Sequence, residues 1–478
     1  MIIRRGLWLV ENFWELVQEY RQLGFDPLRW IPTCSNEVES HIMQSSLKAI
    51  RRSTIKVMPS WFDAFHYMDG KIPELTRRVY NFNNPIIEKE VEIKRALSIF
   101  RIHIDIADDS VSLSEALQKF LKSFHSKVAV KKITMALTTH PEAQFALLDY
   151  IELHRGSIVG YTSANNSATQ ITDPTQNPDS EIHSNIALTA AMENLNLLGC
   201  TSGFKVFPVY DAPNEEMLDK IRKNLDAYTS RYNLSMEDYS SLKIGKLFFG
   251  ATAIANTLKE LPTRYDQVED GMQIIISNKL GSLPAVSLYM LTKMDHNNIP
   301  KFEQNNILLS ILSDIKDELI KNLSEPNFSL GKVISKYCPD FNTTFDKYSH
   351  ITAVHPVTTD GIFAIGKLAE LTNSRIVINE LPMKYEEIAK YATKEFLVEN
   401  ATASSNGCHL IVATKDVTSS LIEDLRKHGF EPTIIGLITK KEDRPIVVIE
   451  KDFKQYIASK AKLARLNSLI QTESQTHQ

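Results

Sequence analysis

From about residue 98 to residue 449 the chain alternates short β-like runs with longer helical ones, in two blocks separated by "LPTRYDQVEDG". A chain patterned in this way must cover sheets with helices, because each strand run has an apolar face that only a neighbouring layer can bury. In the first block the runs are "IFRIHIDI", "LSEALQKFLKSF", "VAVKKITMALTT", "EAQFALLDYIEL" and "GSIVGYTS", with strand and helix patterns taking turns. The stretch "TSANNSATQITDPTQNPDSE" has hardly a hydrophobic residue and reads as a surface loop. Helix "IHSNIALTAAMENLNLLG", strand "GFKVFPVY", helix "NEEMLDKIRKNLDAYTSRY" and strand "GKLFFGATAIA" follow. Ala187, Ala190 and Ala191 suit the first of these helices to close contact with a sheet, Gly199 suits its end, and Asn214 is a good N-cap for the second.

The second block opens on strand "MQIIISN", turn "KLGSLPA" and helix "AVSLYMLTKM", and carries a helical insert at roughly 300–340. It continues with strand "RIVINEL", helix "YEEIAKYATKEFL", strand "CHLIVAT", helix "TSSLIEDLRKHG" and strands "EPTIIGLI" and "PIVVIE". The expected organisation is a helical extension over 1–95, units over 96–262 and 263–452, and a basic helical tail over 453–478. The expected fold class is α+β, built as α/β layers.

Charge and composition exclude several functions. The formal net charge is −4 with no long block of one sign, so the electrostatic footprint of a nucleic-acid binder is missing. Glu11 and Glu15 interrupt "MIIRRGLWLVENFWELV" well short of a membrane span, and no other run approaches one, so neither a membrane nor export is expected. The four cysteines, Cys34, Cys200, Cys338 and Cys408, lie far apart with no CxxC pair, which fits a reducing cytoplasm better than a disulfide framework or a zinc knuckle. The histidines, His183, His355 and His409 among them, show no paired metal spacing.

The stretch "HPVTTDGIFAIGKLAEL" puts Asp360 and Gly361 directly before Ile362, Phe363, Ile365 and Leu368, at the mouth of a buried helix. Two readings stand side by side. Asp at a helix start is a common cap worth about 1 kcal/mol, and the glycine then serves close packing. Alternatively the glycine lets the backbone approach a phosphate, the helix N-terminus offers it N–H groups, and Asp360 binds a metal ion held on that phosphate.

Four stretches in order resemble the superfamily of aminoimidazole ribonucleotide synthetase, selenophosphate synthetase, thiamine monophosphate kinase and the hydrogenase-maturation protein that dehydrates a carbamoyl group (the PurM-like proteins). They are "SNIALTAAMENLNLLG" with the strand and Pro-Asn-Glu helix after it, "DGMQIIISNKLGSLPAVSL", "AVHPVTTDGIFAIGKLAELTNSRIVINELPM" and "SSNGCHLIVAT". The resemblance implies a two-domain architecture: an N-terminal domain that pairs into a β-barrel in a homodimer, and a C-terminal α/β sandwich domain. It also implies ATP and Mg²⁺ in a cleft at the dimer interface. The positions it offers for phosphate or cofactor contact are Asn194, Lys279, Thr358 and Gly361, and those for metal are Asp173, Asp179, Glu193 and Asp360.

The chain also departs from that pattern. "GYTSANNSATQ" occupies the place of the family's Gly-Asp-Asp-Ala segment, and "ADDS" (107–110) lies too far upstream to replace it. Asn194 falls where the family carries an aspartate, with Glu193 adjacent, and a neutral amide cannot supply a carboxylate's charge to Mg²⁺. "MEDYSSLKIGK" replaces a Gly-Gly-His/Asp segment, and Cys34 lacks the glycines of a selenide-handling site. The resemblance therefore implies ATP-dependent phosphoryl transfer to a small molecule, or its ligase-like activation; the alternative is a non-catalytic binding or regulatory scaffold that has lost the metal carboxylates.

Overall fold

In the computed structural model the described residues are 13–25, the strands at 56–58, 134–137, 145–146, 149–155 and 158–168, most of 173–449, 453–458 and 470–471. Within 173–449 the breaks are 239–244, 246, 341–342, 358–359, 396, 399 and 442–445. The fold is α+β with mixed sheets. In the first unit, strands β4 (Asp149–Arg155), β5 (Ile158–Ala168), β6 (Ser202–Asp211), β7 (Ser235–Met236) and β8 (Phe248–Thr257) form a sheet in the order β4-β5-β8-β6-β7. All its pairings are antiparallel except β6 with β7. A small separate sheet joins β1 (Lys56–Met58), β2 (Thr134–Leu137) and β3 (Phe145–Ala146).

The second unit is one seven-stranded sheet. Its strands are β9 (Gln273–Ile276), β10 (Ala353–Pro356), β11 (Ser374–Ile378), β12 (His409–Ala413), β13 (Thr433–Lys441), β14 (Ile446–Ile449) and β15 (Ile470–Gln471). The order is β10-β12-β9-β13-β11-β14-β15, antiparallel except where β14 meets β11 and β15. Ile274, Ile275, Leu410, Ile411 and Val412 of the central strands are fully buried, as period-free apolar runs covered on both faces should be.

Helix α1 (residues 13–22) docks Phe13, Val17 and Tyr20 into the core, and α2 (Glu181–Leu197) runs between the two units. On one side α2 meets β5 and β8, and on the other it meets β10, α6 (Leu309–Ser324) and α7 (Phe328–Lys336). Thirteen of its 17 residues are buried, so it has no solvated face; of its three noted alanines, Ala187 and Ala191 are buried and Ala190 is half-buried. Gly199 takes φ +76° just past its end, a conformation that glycine adopts without a Cβ penalty. α3 (Glu215–Arg231) is capped by Asn214, whose Oδ1 accepts from Met217 N at 2.9 Å. The helical insert resolves into α5 (Asn298–Glu303), α6 and α7, after α4 (Leu283–Met294).

Four segments differ from the reading of their sequence. Lys56–Met58, within the extension read as helical, is a strand paired in parallel with Thr134–Ala136. "DYIELHR", read as the end of a helix, is β4: Ile151 and Leu153 alternate with Glu152 and His154, and this period of two wins once β5 is there to pair with. "TSANNSA", read as loop, completes β5 between β4 and β8, where the ladders on both edges satisfy a backbone whose side chains have little to bury. In the tail, read as a helix, Ile470–Gln471 adds a strand beside β14. Among the described residues no helix is long and apolar enough to cross a membrane.

Candidate functional site

The turn after β9 and the loop before β12 meet although some 130 residues separate them in sequence. Ser277 Oγ donates to Gly407 O at 2.5 Å, Asn278 Nδ2 donates to the same oxygen at 3.1 Å, and His409 N donates back to Ser277 Oγ at 2.8 Å. Ser404 Oγ donates to Lys279 O at 3.0 Å and lies 3.3 Å from Ser282 Oγ. The second and fourth family-like stretches therefore form one structure. Gly281 (φ +79°) seats the turn: a Cβ there would lie 2.4 Å from Met383 Cε and 3.1 Å from Ala401 O.

Together these segments wall a cleft of about 290 Å³. Asn278, Lys279 and Ser282 line one side and Ser404, Ser405 and Asn406 another. The rest comes from the end of α6 and the chain after it (Glu318 to Asn327), from Lys384 and from His428 to Glu431. Amides, hydroxyls and ions dominate this lining, the composition of a site that holds a polar ligand by hydrogen bonds and charge rather than by apolar contact. Asn406 Nδ2 has no hydrogen-bond partner among the described residues.

A chain of charges crosses the cleft. Lys279 Nζ lies 3.2 Å from Glu431 Oε2, and Lys384 Nζ lies 2.5 Å from Glu318 Oε1 and 3.7 Å from Glu431 Oε1. Burial alone would pull the Lys384 ammonium down, but the hydrogen bond to Glu318 and the surrounding negative charge together hold it above the ordinary lysine value. It stays charged at neutral pH. Half-exposed pairs of this kind are worth about 0–1 kcal/mol, so a ligand's anionic group can take either lysine from its glutamate at little cost.

All but one of the residues proposed from the sequence have a definite place. Lys279 lines the cleft. Asp173 is fully buried, not on a surface loop: its Oδ2 accepts from Lys316 Nζ at 3.2 Å and its Oδ1 from Thr175 N at 3.1 Å. Asp179 pairs with Lys220 at 3.1 Å on the surface. Glu193 is buried and accepts from Gly407 N and from His409 Nε2, the latter at 2.8 Å. Asn194 is half-buried on α2. Asp360 is bound by Lys367. Gly361 (φ +56°) is pressed against Thr402, whose Oγ1 already accepts the Ile362 N–H at 2.9 Å, so the mouth of α8 (Phe363–Thr372) is filled by its own chain. Thr358 lies outside the described residues.

These placements decide how Mg²⁺ and ATP fit. Asp173, Asp179, Glu193 and Asp360 each have a basic partner and do not converge, and among the described residues no group of three His, Cys, Asp or Glu side chains could hold a metal ion. Mg²⁺ therefore does not fit at these four carboxylates. The cleft itself offers two cationic side chains, Lys279 and Lys384, of the charge a phosphate group requires. Lys384, Ser404 and Asn406 had no signal in the sequence beyond lying just after "LPM" and within "SSNGC".

No family model matches the chain, and no curated protein matches it. Solved structures do. Thiamine-monophosphate kinase from Stenotrophomonas maltophilia is 14% identical over 64% of this chain and 92% of its own, with a TM-score of 0.42. The corresponding kinase from Aquifex aeolicus is 14% identical over 62% of this chain and 90% of its own, with a TM-score of 0.41. The hydrogenase maturation protein HypE in complex with ATP is 13% identical over 63% of this chain and 84% of its own, with a TM-score of 0.43.

Proposed function

We propose that the chain binds a phosphorylated small molecule in the cleft between Lys279, Lys384 and the 404–407 loop. In this reading the binding serves an ATP-dependent phosphoryl-transfer or ligase-like activity of a cytoplasmic homodimer. One observation carries it: two of the family-like stretches come together around two lysines whose carboxylate partners are exposed and easily displaced. Any Mg²⁺ in such a reaction arrives with the nucleotide, since the four carboxylates proposed for it are engaged elsewhere.

The engagement of those carboxylates also favours a second reading, a scaffold that keeps the cleft and binds a ligand without turnover. A thermal-shift panel of ATP, ADP and pyrophosphate, each with and without Mg²⁺, separates the two from a protein that binds none of them, because a ligand of the native state must raise the unfolding midpoint. Both readings expect the rise. Turnover of ATP with a stoichiometric product marks the enzyme; a rise with no turnover marks the scaffold; no rise with any compound removes both.

Glu431 supplies an independent check, because it competes with the ligand for Lys279 and Lys384. Glu431→Gln is expected to tighten pyrophosphate binding by roughly two- to fivefold, the worth of an exposed ion pair. Unchanged or weaker binding would place the anion elsewhere.

A further inference from the structure

Glu193 is a charged residue with 3% exposure on a helix packed between two units. A carboxylate in that position is expensive unless it is paired and hydrogen-bonded. Its partners lie on the far side of the unit boundary: Oε1 accepts from Gly407 N and from His409 Nε2, the second at 2.8 Å. A carboxylate can only accept, which assigns the His409 proton to Nε2.

Gly407 directly follows Ser404, Ser405 and Asn406, the residues of its loop that line the cleft. It is held from both sides, by Glu193 at its N–H and by Ser277 and Asn278 at its carbonyl. Its φ of +81° favours glycine, and a Cβ there would press on two cleft-lining side chains, lying 2.7 Å from Asn327 Nδ2 and 3.1 Å from Asn278 Nδ2.

We propose that Glu193 is the positioning residue of the cleft: from the first unit, its carboxylate fixes Gly407 and thereby presents Ser404, Ser405 and Asn406 to the ligand. This rests on the reading of the cleft as the ligand site. It gives Glu193 a role through another residue rather than on a metal. Both bonds go to Oε1, so a Gln side chain that keeps its amide oxygen there still accepts from Gly407 and His409 and loses only the negative charge that strengthens them.

The test uses the full chain, with pyrophosphate as probe in EDTA, and compares wild type, Glu193→Gln, Glu193→Ala and Lys279→Ala. Two quantities are read: pyrophosphate affinity, and hydrogen exchange at the Gly407 amide relative to Leu410 and Val412 in β12. Glu193→Ala is expected to weaken the probe by about tenfold and Glu193→Gln by less, the size of one or two lost charge-assisted hydrogen bonds. Glu193→Ala, which removes the acceptor, is expected to accelerate Gly407 exchange strongly, and Glu193→Gln, which only weakens the bond, by less, while β12 stays protected. Lys279→Ala should weaken the probe and leave Gly407 exchange as it is, which a general loss of stability would not do.

Unchanged Gly407 exchange in both Glu193 variants overturns the proposal, as does wild-type affinity in Glu193→Ala. If wild type binds no pyrophosphate, the cleft reading fails and the exchange arm still decides whether Glu193 holds the loop. If the alanine variant does not fold, the glutamine variant carries both readouts.

Discussion

Replacing Asp173 by alanine is expected to destabilise the protein by about 3–5 kcal/mol, the cost of leaving one member of a buried ion pair without its partner. The side chains of Asp173 and Lys316 are 1% and 6% exposed, and the pair ties the segment before α2 to α6. Removal of the carboxylate also takes the acceptor from Thr175 N. Lys316 would keep only Asp317, 2.6 Å away and mostly in solvent, and the face of Tyr289, 5.2 Å from Nζ. Burial pulls the Lys316 ammonium down, but Asp173 and Asp317 together hold it above the ordinary lysine value; without Asp173 the balance tips toward desolvation. Thermal unfolding should fall by roughly 10 °C. Asp179→Ala is the control, because its pair with Lys220 is solvent-screened and contributes little. Equal effects from the two variants would show that Asp173 is not held as described.

The second large effect is expected at Gly361. Its φ of +56° already disfavours any side chain, and a Cβ would lie 2.2 Å from Thr402 Oγ1 and 2.7 Å from the Thr402 carbonyl carbon and oxygen. Gly361→Ala is therefore expected to cost about 2–5 kcal/mol, from a left-handed non-glycine residue plus overpacking. The damage should spread toward the cleft. Thr402 O accepts from Gly281 N at 3.3 Å, and Asn400 joins the turn to the same segment through Asp360 O at 3.1 Å. Adding Thr402→Ala removes only the hydroxyl contact and leaves the backbone clash, so the double variant should recover little. Full recovery in chemical denaturation would mean that the hydroxyl alone sets the cost.

Gly361 also shows where the sequence was legible and where it was not. The demand for a glycine directly before a buried helix was visible in "TDGIFAIG", and of its two readings the close-packing one describes what surrounds the residue. What presses on it, a threonine 41 residues later, could not be read from local pattern. The same holds for Asp173. The polar composition of "TDPTQNPDS" reports what its burial would cost, not that Lys316, 143 residues away, is there to offset it. The second half of β5 eluded the sequence for a related reason, since its two backbone ladders are supplied by β4 and β8. Segments that keep their own period, such as α3 with its Asn214 cap or the apolar central strands, were readable because local preference and tertiary packing agree there. The cleft was half legible: Lys279 stands in a recognisable turn, while Lys384 and Asn406 reach it only through the order of the strands.

The proposed function requires that Lys279 and Lys384 together receive a phosphate group in the cleft. Calorimetric titration of pyrophosphate into wild type and into the Lys279→Ala/Lys384→Ala double variant tests it most directly. Saturable binding by wild type that weakens by at least about tenfold in the double variant, with the fold intact, is the result predicted. Equal affinity in the two proteins, or no heat of binding in wild type at millimolar pyrophosphate, would contradict it.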